Sequence, residues 1–198
     1  QQPLGFARQI GLKPSTARGN QTTDLELDIP LLMDVKIADM TVTANSRLTA
    51  FSMPEVAFGH AVEDGDLRLA VDKTRLDLAG KVKIAGASLD VTLMRAFAAT
   101  APVQQKVTAA GVLDDAALAR LGFDIAPHVT GNLRAQVEFE ERPNATGAGR
   151  VALDLTQSKA NLAWAGWQKP SGERALAQFT FETRGGRFMR LPAFAAEA

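Results

Sequence analysis

Apolar and polar positions alternate along most of this chain with a period of two. Asp24-Leu25-Glu26-Leu27-Asp28-Ile29 does so without interruption, and Arg75-Leu76-Asp77-Leu78 resumes after Gly80 as Lys81-Val82-Lys83-Ile84. The beat returns in Leu67/Leu69/Val71, Leu89/Val91/Leu93, Leu133/Val137/Phe139, Val151/Leu153/Leu155 and Phe179/Phe181. Successive side chains of a strand point to opposite faces, so this period predicts sheets with one apolar and one wetted face. Strands are predicted near 24–30, 35–44, 47–52, 55–58, 66–72, 75–84, 87–95 and 104–112, after an irregular stretch over the first 19 residues. Between Val35/Ile37 and Met40/Val42/Ala44 the parity flips around Ala38-Asp39, where a bulge or tight bend would keep both halves on one side.

The links between strands predict antiparallel neighbours. Lys73-Thr74 and Ala85-Gly86 are too short for the crossover that a parallel pair needs. Arg142-Pro143-Asn144-Ala145-Thr146-Gly147 reads as a longer hairpin loop. One short helix is predicted near 114–121. Asp114 supplies the N-cap, Leu113 and Leu118 a hydrophobic staple, and Gly122 a left-handed C′ position from which Phe123 folds back on Leu118. The predicted fold is therefore mainly β, mostly antiparallel, with this one short helix. Residues 1–112 would be a first β segment and 113–127 the helix and connector. Residues 128–198 would be a second β segment continuing the sheet. About twelve strands stacked in sequence order would span on the order of 55 Å.

Composition narrows the chemistry. Lys and Arg number 22 and Asp and Glu 22, with no dense basic run, which disfavours nucleic acid as a partner. Ten Phe, two Trp and no Tyr offer few aromatic platforms. Cysteine is absent, which excludes disulfides and thiolate metal sites. His60 and His128 lie far apart beside expected turns, and no metal site is predicted. Glu63-Asp64 and Asp114-Asp115 suit a turn and a helix N-terminus better than paired catalysis. Ser15, Ser46, Ser52, Ser88, Ser158 and Ser171 stand in no nucleophile elbow. Gly147-Ala148-Gly149 and Gly185-Gly186 are too short to cradle phosphate and read as turn or strand-bend glycines. No catalytic residue and no cofactor is predicted. Trp164 and Trp167 read as core packing, or as a ring at the lip of an apolar channel. No apolar run reaches the roughly 20 residues that cross a bilayer. A start at Gln1 and a C-terminus without a terminating feature are read as signs of an internal piece of a longer protein.

One stretch carries a family signal. Asp154-Leu155-Thr156, then Ala160-Asn161-Leu162, then Gly166-Trp167-Gln168-Lys169-Pro170-Ser171-Gly172 resembles the "DLT…A.L…GW.KP.G" segment of AsmA-like envelope proteins of the YhdP type. Asp114–Leu121 with Gly122-Phe123-Asp124, and Gly131 opening a strand, resembles the segment before that motif. Gly19, Pro30-Leu31, Asp64-Gly65 and Leu78-Ala79-Gly80 match its style, so the resemblance spans most of the chain. It implies a periplasmic bridge of a Gram-negative bacterium, anchored in the inner membrane by a segment not present here. The fold it implies is a long, curved, mostly antiparallel sheet forming an open groove, along whose apolar concave face such a bridge moves phospholipid toward the outer membrane. Its implied partners are phospholipid, membrane proteins at either end, and neighbouring β segments of the same chain. The motif residues carried over are Asp154, Leu155, Thr156, Gly166, Trp167, Lys169, Pro170 and Gly172.

The residues that would line the groove are Leu25, Leu27, Ile29, Leu67, Leu69, Val71, Leu76, Leu78, Val82, Ile84, Leu89, Val91, Leu93, Val137, Phe139, Val151, Leu153 and Leu155. The same alternation also fits a closed β-sandwich for binding or adhesion, with the apolar faces sealed against each other. A third reading places an envelope-glycan enzyme in long loops near 157–175. The resemblance favours the groove.

Overall fold

The structure, a computed structural model, describes residues 14–30, 40–57, 59–125, 128–163 and 166–197. Its main strands are β1 (Arg18–Asp28), β2 (Thr41–Ala57), β3 (His60–Val71), β4 (Arg75–Ile84), β5 (Ala87–Ala96) and β6 (Gln105–Leu113). After the helix α1 (Asp115–Arg120) come β7 (Val129–Gly131), β8 (Leu133–Glu141), β9 (Thr146–Asp154), β10 (Ser158–Leu162), β11 (Trp167–Lys169), β12 (Leu176–Arg184) and β13 (Arg187–Glu197). Ten of them form one antiparallel sheet in the order β1-β2-β3-β4-β5-β6-β8-β9-β12-β13, with β1 and β13 as open edges. The sheet is antiparallel, as the short links between strands predict, and it is not closed into a barrel, in keeping with the open sheet that the resemblance implies. Ten strands rather than twelve stack in it, because β7, β10 and β11 turn away into a small sheet of their own. Nine spacings of about 4.8 Å give a sheet about 43 Å across.

Two strand boundaries differ from the sequence reading. The segment at 47–52, residues 55–57 of the next and residues 41–44 of the one before belong to one 17-residue strand, β2, which absorbs its broken parity through register shifts between Leu48, Phe51, Met53 and Ala57. β1 begins at Arg18, within the stretch that reads as irregular. Its polar residues Gln21 and Thr23 pair opposite Leu48 and Ser46, and the Thr23 and Ser46 hydroxyls lie 2.8 Å apart. Backbone pairing plus hydroxyl contacts thus extends a strand that lacks apolar alternation. The parity flip at Ala38-Asp39 lies outside the described residues.

Local chemistry sets the turns. Asp72 Oδ1 accepts the backbone N–H of Thr74 (2.6 Å) and of Arg75 (2.9 Å), closing the β3–β4 link. Between β4 and β5, Ala85 (φ 53°) and Gly86 (φ 87°) are both left-handed, the two-residue geometry that matches strand twist. In α1 the Asp114 carboxylate accepts Ala117 N–H at 2.7 Å. Gly122 (φ 86°) donates to Ala119 O and Phe123 N–H to Leu118 O, a Schellman ending. Phe123 returns to Leu118 through this backbone bond, while its ring stays 59% exposed. Leu113 and Leu118, the expected staple, share one buried cluster. The helix does not split the sheet, since β6 pairs directly with β8.

Ala85 occupies a position that costs an L-residue with a Cβ about 1 kcal/mol. Replacing it with Asn, which tolerates that conformation, is expected to raise stability by about 0.5 kcal/mol in urea unfolding.

Candidate functional site

Directly opposed residues of an antiparallel pair share a face, so register alone assigns every side chain. One cross-strand row runs Leu48–Leu67–Gly80–Val91–Ala109–Val137–Val151–Phe179–Phe194 from β2 to β13. Beside it runs Leu69–Leu78–Leu93–Val107–Phe139–Gly149–Phe181. Next comes Val82–Leu89–Gly111–Ala135–Leu153–Ala177. Leu25, Leu27, Val71, Leu76 and Ile84 fall on the same side through their partners Ala44, Val42 and Ala87. Every predicted lining residue that lies in a strand is therefore on one face of one sheet. Ile29 and Leu155 sit just beyond the ends of β1 and β9.

No second sheet of comparable size covers this face among the described residues; the other sheet has strands of only 3, 5 and 3 residues. Two small clusters provide the burial. At one end Ala117 and Leu118 of α1 pack with Ala87, Leu113, Leu133 and Ala135. Val62, Leu67 and Val82 form the other, so Leu67 and Val82 are buried floor rather than accessible lining. Leu69, Leu78, Leu93, Val137, Phe139 and Val151 are half-buried. Exposure rises toward the sheet edges, to 60% at Leu25 and 72% at Phe194. The chain exposes 13550 Å² in all. A compact globule of its mass would expose roughly 9,000 Å².

The strand-interior glycines have a packing role that the turn reading misses. Gly149 faces Phe139 on one side and Phe181 on the other, and a Cβ there would collide with the Phe181 ring. The two rings stack across it with centroids 6.0 Å apart and planes within 4°. Gly185 and Gly186 do form a hairpin turn, both with positive φ.

The opposite face is charged and closes tight pairs: Lys81–Asp90 (2.8 Å), Lys83–Asp64 (2.7 Å) and Lys106–Glu140 (2.9 Å). Asp64 holds the Lys83 ammonium above its usual range, and Glu140 does the same for Lys106. A concavity of about 370 Å³ is lined mainly from this side, by Arg134, Gln136, Asp154 and Gln178 among others.

The motif residues converge on one node that joins β9 to the small sheet. Asp154 Oδ1 accepts Thr156 N–H at 2.9 Å, and Gly172 N–H donates to Thr156 O at 2.7 Å. The Lys169 ammonium, on a residue only 3% exposed, donates to the carbonyls of Ser158 (2.8 Å), Pro170 (2.9 Å), Glu173 (2.9 Å) and Thr156 (3.4 Å). Ser158 is fully buried and donates to Asn132 O at 2.8 Å. Thus the described residues of this stretch, 157–163 and 166–175, are strand and pinned turn, not an open loop. Gly166 (φ 63°) turns the chain into β11, where Trp167 pairs with Leu162 and is half-buried. Trp164 lies outside the described residues. His60 opens β3 and His128 is an exposed turn residue. Among the described residues no three His, Cys, Asp or Glu side chains come together as metal ligands.

The sequence reading misses one row. Leu76–Arg95–Gln105–Glu141–Gly147 crosses the apolar face beside Leu93, Val107 and Phe139. Its signal is legible in hindsight as polar residues at apolar parity, two positions beyond Leu93, before Val107 and after Phe139. No family model, curated protein or solved structure matches the chain.

Lys169→Met keeps the volume but strands its carbonyl partners, and is expected to cost about 2–4 kcal/mol in denaturant unfolding. Hydrogen bonds from the Thr156 side chain and backbone hold the Asp154 carboxyl below its usual value, with Arg134 and Arg174 adding to the effect. A depressed folded-state pKa contributes stability that is complete above the unfolded value near 3.8 and vanishes as pH falls through the depressed one. Asp154→Asn should therefore be less stable than the parent at neutral pH. The two urea midpoints should converge on acidification below the carboxylate range.

Proposed function

We propose that this chain is a segment of an AsmA-like, YhdP-type bridge in the Gram-negative periplasm, conducting phospholipid acyl chains along its apolar face between inner and outer membrane. The observation that carries the reading is the set of apolar rows that run across the strands and, among the described residues, have no facing sheet of comparable size. Each methylene kept out of water is worth about 0.8 kcal/mol, so a chain of about 15 methylenes resists crossing water by roughly 12 kcal/mol. Rows of branched aliphatics perpendicular to the strands offer such a tail an unbroken path, and the charged opposite face keeps the segment wetted. This transport needs no nucleophile, base or metal. No helix among the described residues is long and apolar enough to cross a membrane. The inner-membrane anchor of such a bridge would belong to another part of the protein. Further β segments of that protein and membrane proteins at its two ends complete the path.

Native mass spectrometry of the gently purified chain is expected to show co-bound phospholipid. Leu27 is 54% exposed, so Leu27→Glu should change stability by no more than about 0.5 kcal/mol. Glutamate at Leu27 or Val91 is expected to lower lipid occupancy roughly tenfold or more, since each places a charge in the path. A parent chain free of lipid, or folded glutamate variants that load lipid like the parent, would refute the reading. A closed binding module predicts a parent free of lipid and global unfolding by each glutamate.

A further inference from the structure

The polar row on the apolar face has a geometry of its own. Across β4, β5, β6, β8, β9 and β12, register places Arg95 and Glu141 as the charged residues of that face, with Gln105 between them. Both are sheltered, at 17% side-chain exposure for Arg95 and 29% for Glu141. Yet they do not close on each other: Arg95 Nη1 stands 4.0 Å from Glu141 Oε2. The lysine–carboxylate pairs Lys81–Asp90, Lys83–Asp64 and Lys106–Glu140 on the wetted face close to 2.7–2.9 Å, the range of charge-assisted hydrogen bonds. Arg95 spends one donor, from Nη1 to Gln105 Oε1 at 3.1 Å. A guanidinium has five donors and a carboxylate two acceptor oxygens, so both retain capacity for a ligand. Burying charges beside Leu93, Val107 and Phe139 without a tight pair is costly, and a ligand carrying both signs would offset that cost.

The row lies along one margin of the apolar face, at the ends of β5 and β8 and the start of β6. On the opposite margin of the same face, α1 seals Ala87, Leu113, Leu133 and Ala135 under apolar cover. The apolar face, the trough of the acyl-chain reading, is thus covered by hydrocarbon along one margin and bordered by a cation, an amide and an anion along the other. That is the polarity profile of a phospholipid lying with its tails on the floor and its head at the rim.

We propose that Arg95, Gln105 and Glu141 form a head-group site for a zwitterionic phospholipid, with Arg95 taking the phosphate and Glu141 the ammonium of a phosphoethanolamine head. This rests on the acyl-chain reading above and names the lipid class that the same surface selects. The Gln105 amide accepts from Arg95 through Oε1 and keeps its own N–H donors for the phosphate oxygens. A purely anionic head would meet the Glu141 carboxylate with nothing to neutralise it.

The test compares phosphatidylethanolamine, phosphatidylglycerol and diacylglycerol of identical acyl composition, each offered in mixed micelles to the purified chain and counted by native mass spectrometry. The parent is expected to prefer them in that order. Arg95→Gln should lower binding of both phospholipids about tenfold and leave diacylglycerol unchanged. Glu141→Gln should lower phosphatidylethanolamine about fivefold and raise phosphatidylglycerol. Thermal melts check that each variant is folded. Gln105→Lys adds a second cation to the row and should favour phosphatidylglycerol even if Arg95→Gln does not fold. Soluble glycerophosphoethanolamine should compete with phosphatidylethanolamine and not with diacylglycerol. Tight binding of all three lipids without preference, or variants with the parent's selectivity, would overturn the head-group site and leave the trough standing. A parent that binds no lipid at all would overturn the trough and this site together.

Discussion

Register is the constraint on which everything else depends. A strand's side chains alternate with a period of two, so a slip of one residue would move its whole apolar set to the wetted side. From β4 through β5, β6, β8, β9 and β12 the pairings contain no shift at all. Irregularities are confined to the flanks: the start of β1, the distal parts of β2 and β3, and the β12–β13 pair. Six strands in phase turn separate local patterns into rows that no single segment contains. The stacked rings of Phe139 and Phe181 span Gly149 within this region and fasten three strands at once.

An in-phase apolar face creates a solvation problem that the fold solves only in part. The clusters under α1 and around Val62, Leu67 and Val82 bury a minority of it. The remainder stays half-covered by neighbouring side chains of the same face. A sandwich would resolve this with a second sheet, but β7, β10 and β11 are too short and fasten instead to the end of β9 through Asp154, Thr156 and Lys169. Among the described residues much of the apolar face has no facing layer, and a hydrocarbon occupant is the completion that the proposed function supplies.

Much of this was legible in the residues because period-two alternation is a local property. Leu25/Leu27, Leu76/Leu78 and Val91/Leu93 announce their strands, and Lys73-Thr74 and Ala85-Gly86 announce antiparallel order. Asp114 and Gly122 bracket the helix. What stayed hidden depends on partners distant in sequence. Gly19–Thr23 gives no strand signal by itself and becomes one only when β2 pairs with it. β10 and β11 leave the main sheet, and the carbonyl cage around Lys169 that ties them to the end of β9 is revealed by no composition rule. The Arg95, Gln105 and Glu141 row is written as three unrelated exceptions to the apolar beat, and only the pairing of β5, β6 and β8 puts them side by side.

The Lys169 cage has a consequence for how the molecule responds to ionic strength. Its charge is met by peptide dipoles rather than a counterion in the cage, and it is nearly inaccessible, so dissolved ions screen it little. The lysine–carboxylate pairs of the wetted face are largely solvent-facing and weaken as electrolyte is added. Brine therefore acts unevenly on this protein: it relaxes the outer surface of the sheet while the knot that fastens the small sheet to β9 holds.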